Sequence, residues 1–505
     1  MNHWAIAPVL WPWLAGILLL LGRGSLAWQR GVSVVAVAGQ LGLALALAAE
    51  VSDGRMLVYT LGNWPAPFGI VLVADRLAAW MLVTTAFLAF FALWYALRGD
   101  DAAGSHFHTL FQLELFGLNG AFLTGDLFNL FVFFEILLIA SYGLLLHGGG
   151  RKRTRAGLHF VTVNLIGSIL FLFAAGTFYG ILGTLNLADL ARKIAAVSPE
   201  NAPLVRVAGL LLLAVFALKA ALLPFYLWLP EAYAHTSASV AALFAIMTKV
   251  GAYSILRVDT LLFGADAGLA AGLLEPWLLP MALATLLVGM VGALASTRLR
   301  QQAAYLVVAS VGSLLTAFGL GSVSGIAAGL YYLPHTTFAT AALFLLADRI
   351  TQRRGDLGDR LDPGPTIASA GILGGLFFVT TVAVVGLPPL SGFLGKFLTL
   401  RAALAHPWWP WIMATVLSAG LIGVITLART GSLLFYQASP PTADLTPESG
   451  VALARELAPI VGLLLLGLAL TVAAGVLEHG TRASAEQLLQ PQRYIQAVLK
   501  PGGEP

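Results

Sequence analysis

Apolar runs of around 20 residues recur along nearly the whole chain, and no loop between them is long enough to hold a separate domain. A helix rises about 1.5 Å per residue, so about 20 residues cross a hydrocarbon core of about 30 Å. Inside lipid every backbone N–H and C=O must be satisfied by the chain itself, which leaves helices or closed barrels. A barrel would show short segments of alternating polarity, and these runs are continuous. The fold class is therefore read as all-α, a polytopic membrane protein of about 14 transmembrane helices. The spans are placed at 4–22, 31–50, 71–97, 106–124, 126–147, 158–181, 205–230, 239–262, 275–296, 303–320, 324–348, 368–400, 409–436 and 455–477, in one membrane domain covering 1–505.

Composition agrees: 59% of the 505 residues are hydrophobic and 10% are charged, where soluble domains carry about 25% charged residues. The net charge is +4, but the basic residues are scattered over short loops, which argues against a nucleic-acid partner. There is no cysteine, which excludes disulfides, thiolate metal sites and Cys-ligated iron–sulfur clusters within the chain. "MNHWAIAPVLWPWLAGILLLL" lacks a basic n-region and an A-x-A-like site, so it is expected to be a retained first helix.

Lys and Arg set the orientation. Arg23 and Arg30, the run Arg151, Lys152, Arg153 and Arg155, the pair Arg298 and Arg300, and Arg349, Arg353, Arg354 and Arg360 all follow odd-numbered spans. That side is expected to be cytoplasmic, with both termini outside. Arg192, Lys193 and Arg206 run against the pattern.

Two spans carry helix breakers. Pro224 lies within "LKAALLPFYLWLPEAYAH", and Gly386, Pro388, Pro389 and Gly392 lie within "VVGLPPLSGFLGKFLTL". Proline removes a backbone donor and clashes with the preceding turn, so breaks are expected at Pro224 and at Pro388–Pro389. Broken helices at membrane depth are tolerated where protein or a wet cavity satisfies the freed backbone. At corresponding positions of two halves they point to repeats with an ion path between them; a proline kink is the simpler alternative.

Four charged residues are read as lying well inside spans: Glu135, Lys219, Lys249 and Lys396. Each costs about 2.5–3.5 kcal/mol at a helix centre on insertion scales, so such residues normally face the interior and mark ion or proton routes. A Glu/Lys pair that opens and closes would switch the lysine between charged and neutral. A static Glu135–Lys219 ion pair, and outward snorkelling of Lys396, are the structural alternatives. His335 in "GLYYLPHTTFATAALFLL" could relay protons or be a hydrogen-bonded core histidine. His235 is read at a helix start with Ser237 or Ser239 as N-cap, and Glu231, Asp348 and Arg349 as interfacial. His106 and His108 lack a third ligand for a metal. No nucleophile–base pair or phosphate loop suggests an enzyme, whereas a scaffold held together by buried charges stays open.

Taken together these residues resemble the antiporter-like membrane subunits shared by Mrp-type cation/proton antiporters, respiratory complex I and membrane-bound hydrogenases. The resemblance rests on Glu135, the broken seventh span with Lys219, "LWLPEAYAHTSASVAALFAIMTKVGAY" with Lys249, His335, and "GLPPLSGFLGKF" with Lys396. Within that family "GDLFNLFVFFEILLIASYGLLLHGG" is very similar to the fifth-span segment of the D-type subunit of Mrp/Pha multisubunit antiporters. Ala339 stands where complex I subunits usually carry lysine in an H-A-x-F-K motif, and Lys396 stands where the complex I subunit that otherwise comes nearest has glutamate. The chain also ends shortly after its fourteenth span, whereas the large A-type subunit continues.

The resemblance implies two inverted five-helix repeats, approximately 106–262 and 275–436, flanked by 1–97 and 455–477 and a C-terminal tail over 478–505. It implies proton transfer along Glu135, Lys219, Lys249, His335 and Lys396, and no cofactor. It also implies a hetero-oligomer with A-, B-, C-, E-, F- and G-type antiporter subunits in a bacterial inner membrane, exchanging cytoplasmic Na⁺ or K⁺ for protons. The alternative it leaves is a proton-pumping subunit of a complex I-like or hydrogenase complex.

Overall fold

Glycines, prolines and side-chain caps cut the apolar runs into helices in this computed structural model, which describes residues 3–22, 25–440 and 450–499. Arg23, the segment 441–449 and the end of the tail, 500–505, lie outside the described residues. α1 (Ala7–Leu21) and α2 (Leu26–Glu50) come first. An antiparallel hairpin of β1 (Leu57–Thr60) and β2 (Val71–Ala74) follows, with Leu57 opposite Ala74. This corrects the helix expected over 71–97. The β-branched Val71 and Val73 suit a strand, and hydropathy alone does not separate a buried strand from a helix. α3 (Arg76–Ala96) starts after Asp75, whose carboxylate accepts the N–H of Ala78 at 2.9 Å as N-cap.

α4 (Phe107–Leu123), α5 (Leu127–Leu146) and α6 (Arg151–Leu182) continue the bundle. Arg151–Arg155, expected in a loop, form the first turns of α6, because Gly148, Gly149 and Gly150 at positive φ end the turn just before them. The loop expected over 183–203 holds α7 (Leu187–Ala195), capped by Asn186, whose side chain accepts from the N–H groups of Ala188 and Asp189. The seventh span is α8 (Ala202–Ala220) and α9 (Trp228–His235), and the eighth is α10 (Ala238–Leu243) and α11 (Met247–Leu262). The last pair is separated by a tight 3₁₀ turn at Phe244–Ile246 that no proline announces.

α12 (Glu275–Ala295), α13 (Leu299–Phe318) and the long α14 (Val323–Arg353) form the second half, and α14 runs unbroken through Pro334. The twelfth span splits into α15 (Ala370–Val385) and α16 (Ser391–Ala403). α17 (Trp409–Gly431) and α18 (Gly450–Val472) follow. The expected tail instead contains α19 (Ala474–Leu488), packed on α14, and α20 (Pro491–Leu499), packed on α7.

Eleven helical stretches among the described residues are long and apolar enough to cross a membrane, counting Ala202–His235 and Ala238–Leu262 once each. The other expected spans fall on α1, α4 and the α15–α16 pair, whose helices are shorter than 18 residues. The basic segments gather at one end of the bundle. Arg153 donates to the carbonyl of His235, Arg300 to that of Thr236, Arg298 pairs with Asp359 and Arg30 with Asp101.

The opposite end is tied by a buried pair. Arg257 of α11 meets Asp75 at 2.6 Å and lies over the rings of Tyr253 and Tyr494, joining α3, α11 and α20. Arg257→Leu would leave the Asp75 carboxylate buried without its cation, which costs about 3–5 kcal/mol. Thermal unfolding of the purified protein is expected to show a clear loss of stability. The double variant Asp75→Asn/Arg257→Leu should recover part of it, and a single variant as stable as wild type would refute the assignment.

Candidate functional site

Each interruption frees backbone groups, and each is satisfied by protein. At the first, α8 ends with Ala221 in the left-handed region (φ 58°), three residues ahead of Pro224. The carbonyl of Leu218 accepts from the Trp228 indole at 3.0 Å, and the N–H of Leu223 donates to Thr285 Oγ1 at 2.9 Å. At the second, the Phe244 carbonyl accepts from the Tyr233 hydroxyl at 2.7 Å. At the third, between α15 and α16, Lys396 donates to the carbonyl of Val385 at 2.6 Å.

Two predicted lysines thus lie close to these interruptions. Lys219 is in the last turn of α8. Lys396 starts beyond its break but turns back onto the end of α15, so it does not snorkel outward. There the negative end of the α15 dipole faces the Lys396 ammonium. Lys249 is fully buried in the first turn of α11, and its Nζ lies 3.5 Å from Ser310 Oγ.

Glu135 and Lys219 do not form a direct ion pair. Glu135 accepts a short hydrogen bond from Ser168. The carbonyl of Asn164, one turn earlier on α6, lies 3.1 Å from Ser168 Oγ. Lys219 Nζ faces the same Asn164, 3.5 Å from its carbonyl and 3.4 Å from Oδ1, with the Phe134 ring at 5.8 Å. The two ionisable groups are therefore joined by a run of polar atoms on α6. Ser168 and Asn164 carry no local signal in the sequence, because nothing distinguishes them there from other small polar residues in apolar helices.

Lys219 and Lys249 sit on helices in close contact: a Cβ built on Gly251 would lie 2.5 Å from the backbone nitrogen of Ala220. Beyond Lys249, Ser310 lines a cavity of about 10 Å³ together with Ser313, Tyr332, His335, Thr336 and Lys396, room for about one water. The Ser391 hydroxyl donates to the carbonyl of Gly467 at 2.9 Å. The same hydroxyl lies 2.8 Å from His335 Nδ1. Gly392 is required beside this histidine, since a Cβ there would lie 2.6 Å from Nε2.

The other titratable residues lie elsewhere. His235 ends α9 instead of starting a helix and pairs with the exposed Glu231 at 3.1 Å. Ser237 occupies the N-cap position of α10 without a capping bond; Asp100 instead accepts from both the N–H and the hydroxyl of Ser239. His108 pairs with Asp101 at 3.2 Å. Asp348 and Arg349 form a network with Tyr95 and Glu456 that joins α14, α3 and α18. Glu114, in the middle of α4, is a buried carboxyl outside the four predicted charges, although the cost that singles out Glu135 applies to it equally.

Interrupted helices around a line of buried titratable groups define an ion-translocating type of multi-pass membrane protein. The family profile described as "NADH:quinone oxidoreductase/Mrp antiporter, TM" matches residues 124–423, and the chain belongs to that family. It is 39% identical to the D subunit of a probable K(+)/H(+) antiporter from Rhizobium meliloti, over 99% of this chain and 98% of that one. It is 36% identical to the D subunit of an Na(+)/H(+) antiporter from Alkalihalophilus pseudofirmus, over 99% and 100%. Among solved structures it superposes on a chain of the Mrp complex from Dietzia sp. DQ12-45-1b with a TM-score of 0.88 at 27% identity, covering 99% and 100%.

Proposed function

We propose that the chain is the proton-translocating D-type subunit of a multisubunit monovalent cation/proton antiporter, a secondary transporter component without enzymatic chemistry of its own. The observation that carries this reading is the polar line from Glu135 through Ser168 and Asn164 to Lys219, continued by Lys249, Ser310 and the cavity shared with His335 and Lys396. Hydroxyl and amide groups between acid and amine suit proton passage better than a static salt bridge. Protons would load at Glu135 or Lys219 and pass across the α8–α11 contact to Lys249. The two halves, 106–262 and 275–436, would act as inverted repeats about this axis. The arginine-rich end would face the cytoplasm of a bacterial inner membrane, with both termini outside and A-, B-, C-, E-, F- and G-type subunits as partners. The two relatives named above differ in cation, so the choice of Na⁺ or K⁺ rests on measurement.

The test is reconstitution of the whole complex in vesicles and measurement of proton flux driven by Na⁺ and by K⁺. Cation-dependent flux supports the reading; its absence, with proton movement coupled instead to quinone or hydrogen oxidation, defeats it. In the same vesicles Ser168→Ala is expected to slow flux about tenfold, since a hydrogen bond to a charged group is worth about 1.5–3 kcal/mol. Ser168→Thr should restore most of it, and an unimpaired Ser168→Ala would remove Ser168 from the path.

A further inference from the structure

Glu114 has no place in the path described so far. It is fully buried on α4, neither carboxyl oxygen has a hydrogen-bond partner among the described residues, and no charged side chain acts on it. A carboxyl kept for architecture would be tied to a donor, as Asp75 is to Arg257, because burying a bare carboxylate is costly. Its surroundings are specific. The starts of α4 and α10 lie together at the arginine-rich end, near Asp101 and Asp100. Farther along, the Tyr253 hydroxyl of α11 donates to the Phe122 carbonyl of α4 at 2.7 Å. Eight residues back from that contact, about 12 Å along each helix, lie Glu114 and Ala245, the latter inside the Phe244–Ile246 interruption. Tyr233, which donates to the Phe244 carbonyl, is within Coulombic range of Glu114. Thr248 Oγ1, beside Lys249, and the side-chain amide of Gln112 are also buried without partners among the described residues.

Resting on the antiport reading, we propose that Glu114 is a proton-binding site that exchanges protons with Lys249 across the interruption between α10 and α11, as Glu135 does with Lys219. In the forward step the carboxyl O–H bond breaks and an N–H bond forms on the neutral amine, leaving carboxylate and ammonium; the reverse step restores both.

The test uses the assembled complex in vesicles. Dicyclohexylcarbodiimide, an apolar reagent, reacts with protonated carboxyls, and mass spectrometry of the peptide containing Glu114 reads the labelled fraction. Labelling of wild type at Glu114 that declines as pH is raised is expected. Glu114→Gln should lose cation-driven proton flux by at least about tenfold, and Glu114→Asp should keep part of it with a displaced pH profile. Absence of labelling at every pH, or Glu114→Gln with wild-type flux and an unchanged pH profile, would overturn the proposal. If Glu114→Gln does not assemble, wild-type labelling decides. A wild-type complex that moves no protons against a cation defeats the antiport reading instead, and labelling still decides for Glu114.

Discussion

Lys219→Ala is expected to abolish cation-driven proton flux in reconstituted vesicles, by about 100-fold or more, the range over which positioned proton-transfer groups act. Lys219 is buried, faces Asn164, and is the titratable group at the end of the line from Glu135. Assembly should survive, because removing a buried charge relieves a desolvation cost rather than creating one. Lys219→Arg separates relay from static charge. Guanidinium keeps the positive charge but does not release a proton in proteins. A relay predicts that Lys219→Arg fails like Lys219→Ala. A purely electrostatic or scaffolding lysine predicts recovery, and near wild-type flux in Lys219→Arg would sink the relay.

Gly251→Val is expected to have a large effect although it changes no charge. A Cβ at Gly251 would lie 2.5 Å from the backbone nitrogen of Ala220 and 2.8 Å from its Cα. Backbone, unlike a flexible side chain, cannot turn aside, so α8 and α11 must separate. Overpacking of this kind costs typically about 1–3 kcal/mol, and the displacement acts directly between Lys219 and Lys249. The purified complex should melt at lower temperature, and whatever assembles should transport poorly. A variant with wild-type melting and wild-type flux would mean that this contact does not set the spacing of the two lysines.

Much of the fold was legible because it is written in local pattern. Runs of apolar residues announced the spans, and Pro224, Pro388 and Pro389 announced two interruptions, since proline acts on its own preceding turn. The interruption at Phe244–Ile246 was not legible. No breaker stands there, and the freed carbonyl is taken by Tyr233 from the preceding helix. The strand at Val71–Ala74 was absorbed into a helix because its residues are as apolar as those of α3. α7, α19 and α20 were read as loop and tail because short helices that pack on neighbours carry no membrane-length signal.

For the site the division is similar. Glu135, Lys219, Lys249 and Lys396 stood out by sequence alone because a charge in an apolar run is costly wherever it points. What each charge meets was decided only in three dimensions. Glu135 finds Ser168, 33 residues away, and Lys219 finds Asn164, 55 residues away. Lys396 turns back to the end of α15. The sequence by itself determined that this chain spans the membrane many times, breaks twice at proline and buries charge, since each follows from properties of neighbouring residues. The tertiary structure decided that acid and amine are bridged by hydroxyl and amide and not locked in a salt bridge, because hydrogen bonds reach only about 3 Å and only packing brings distant helices that close.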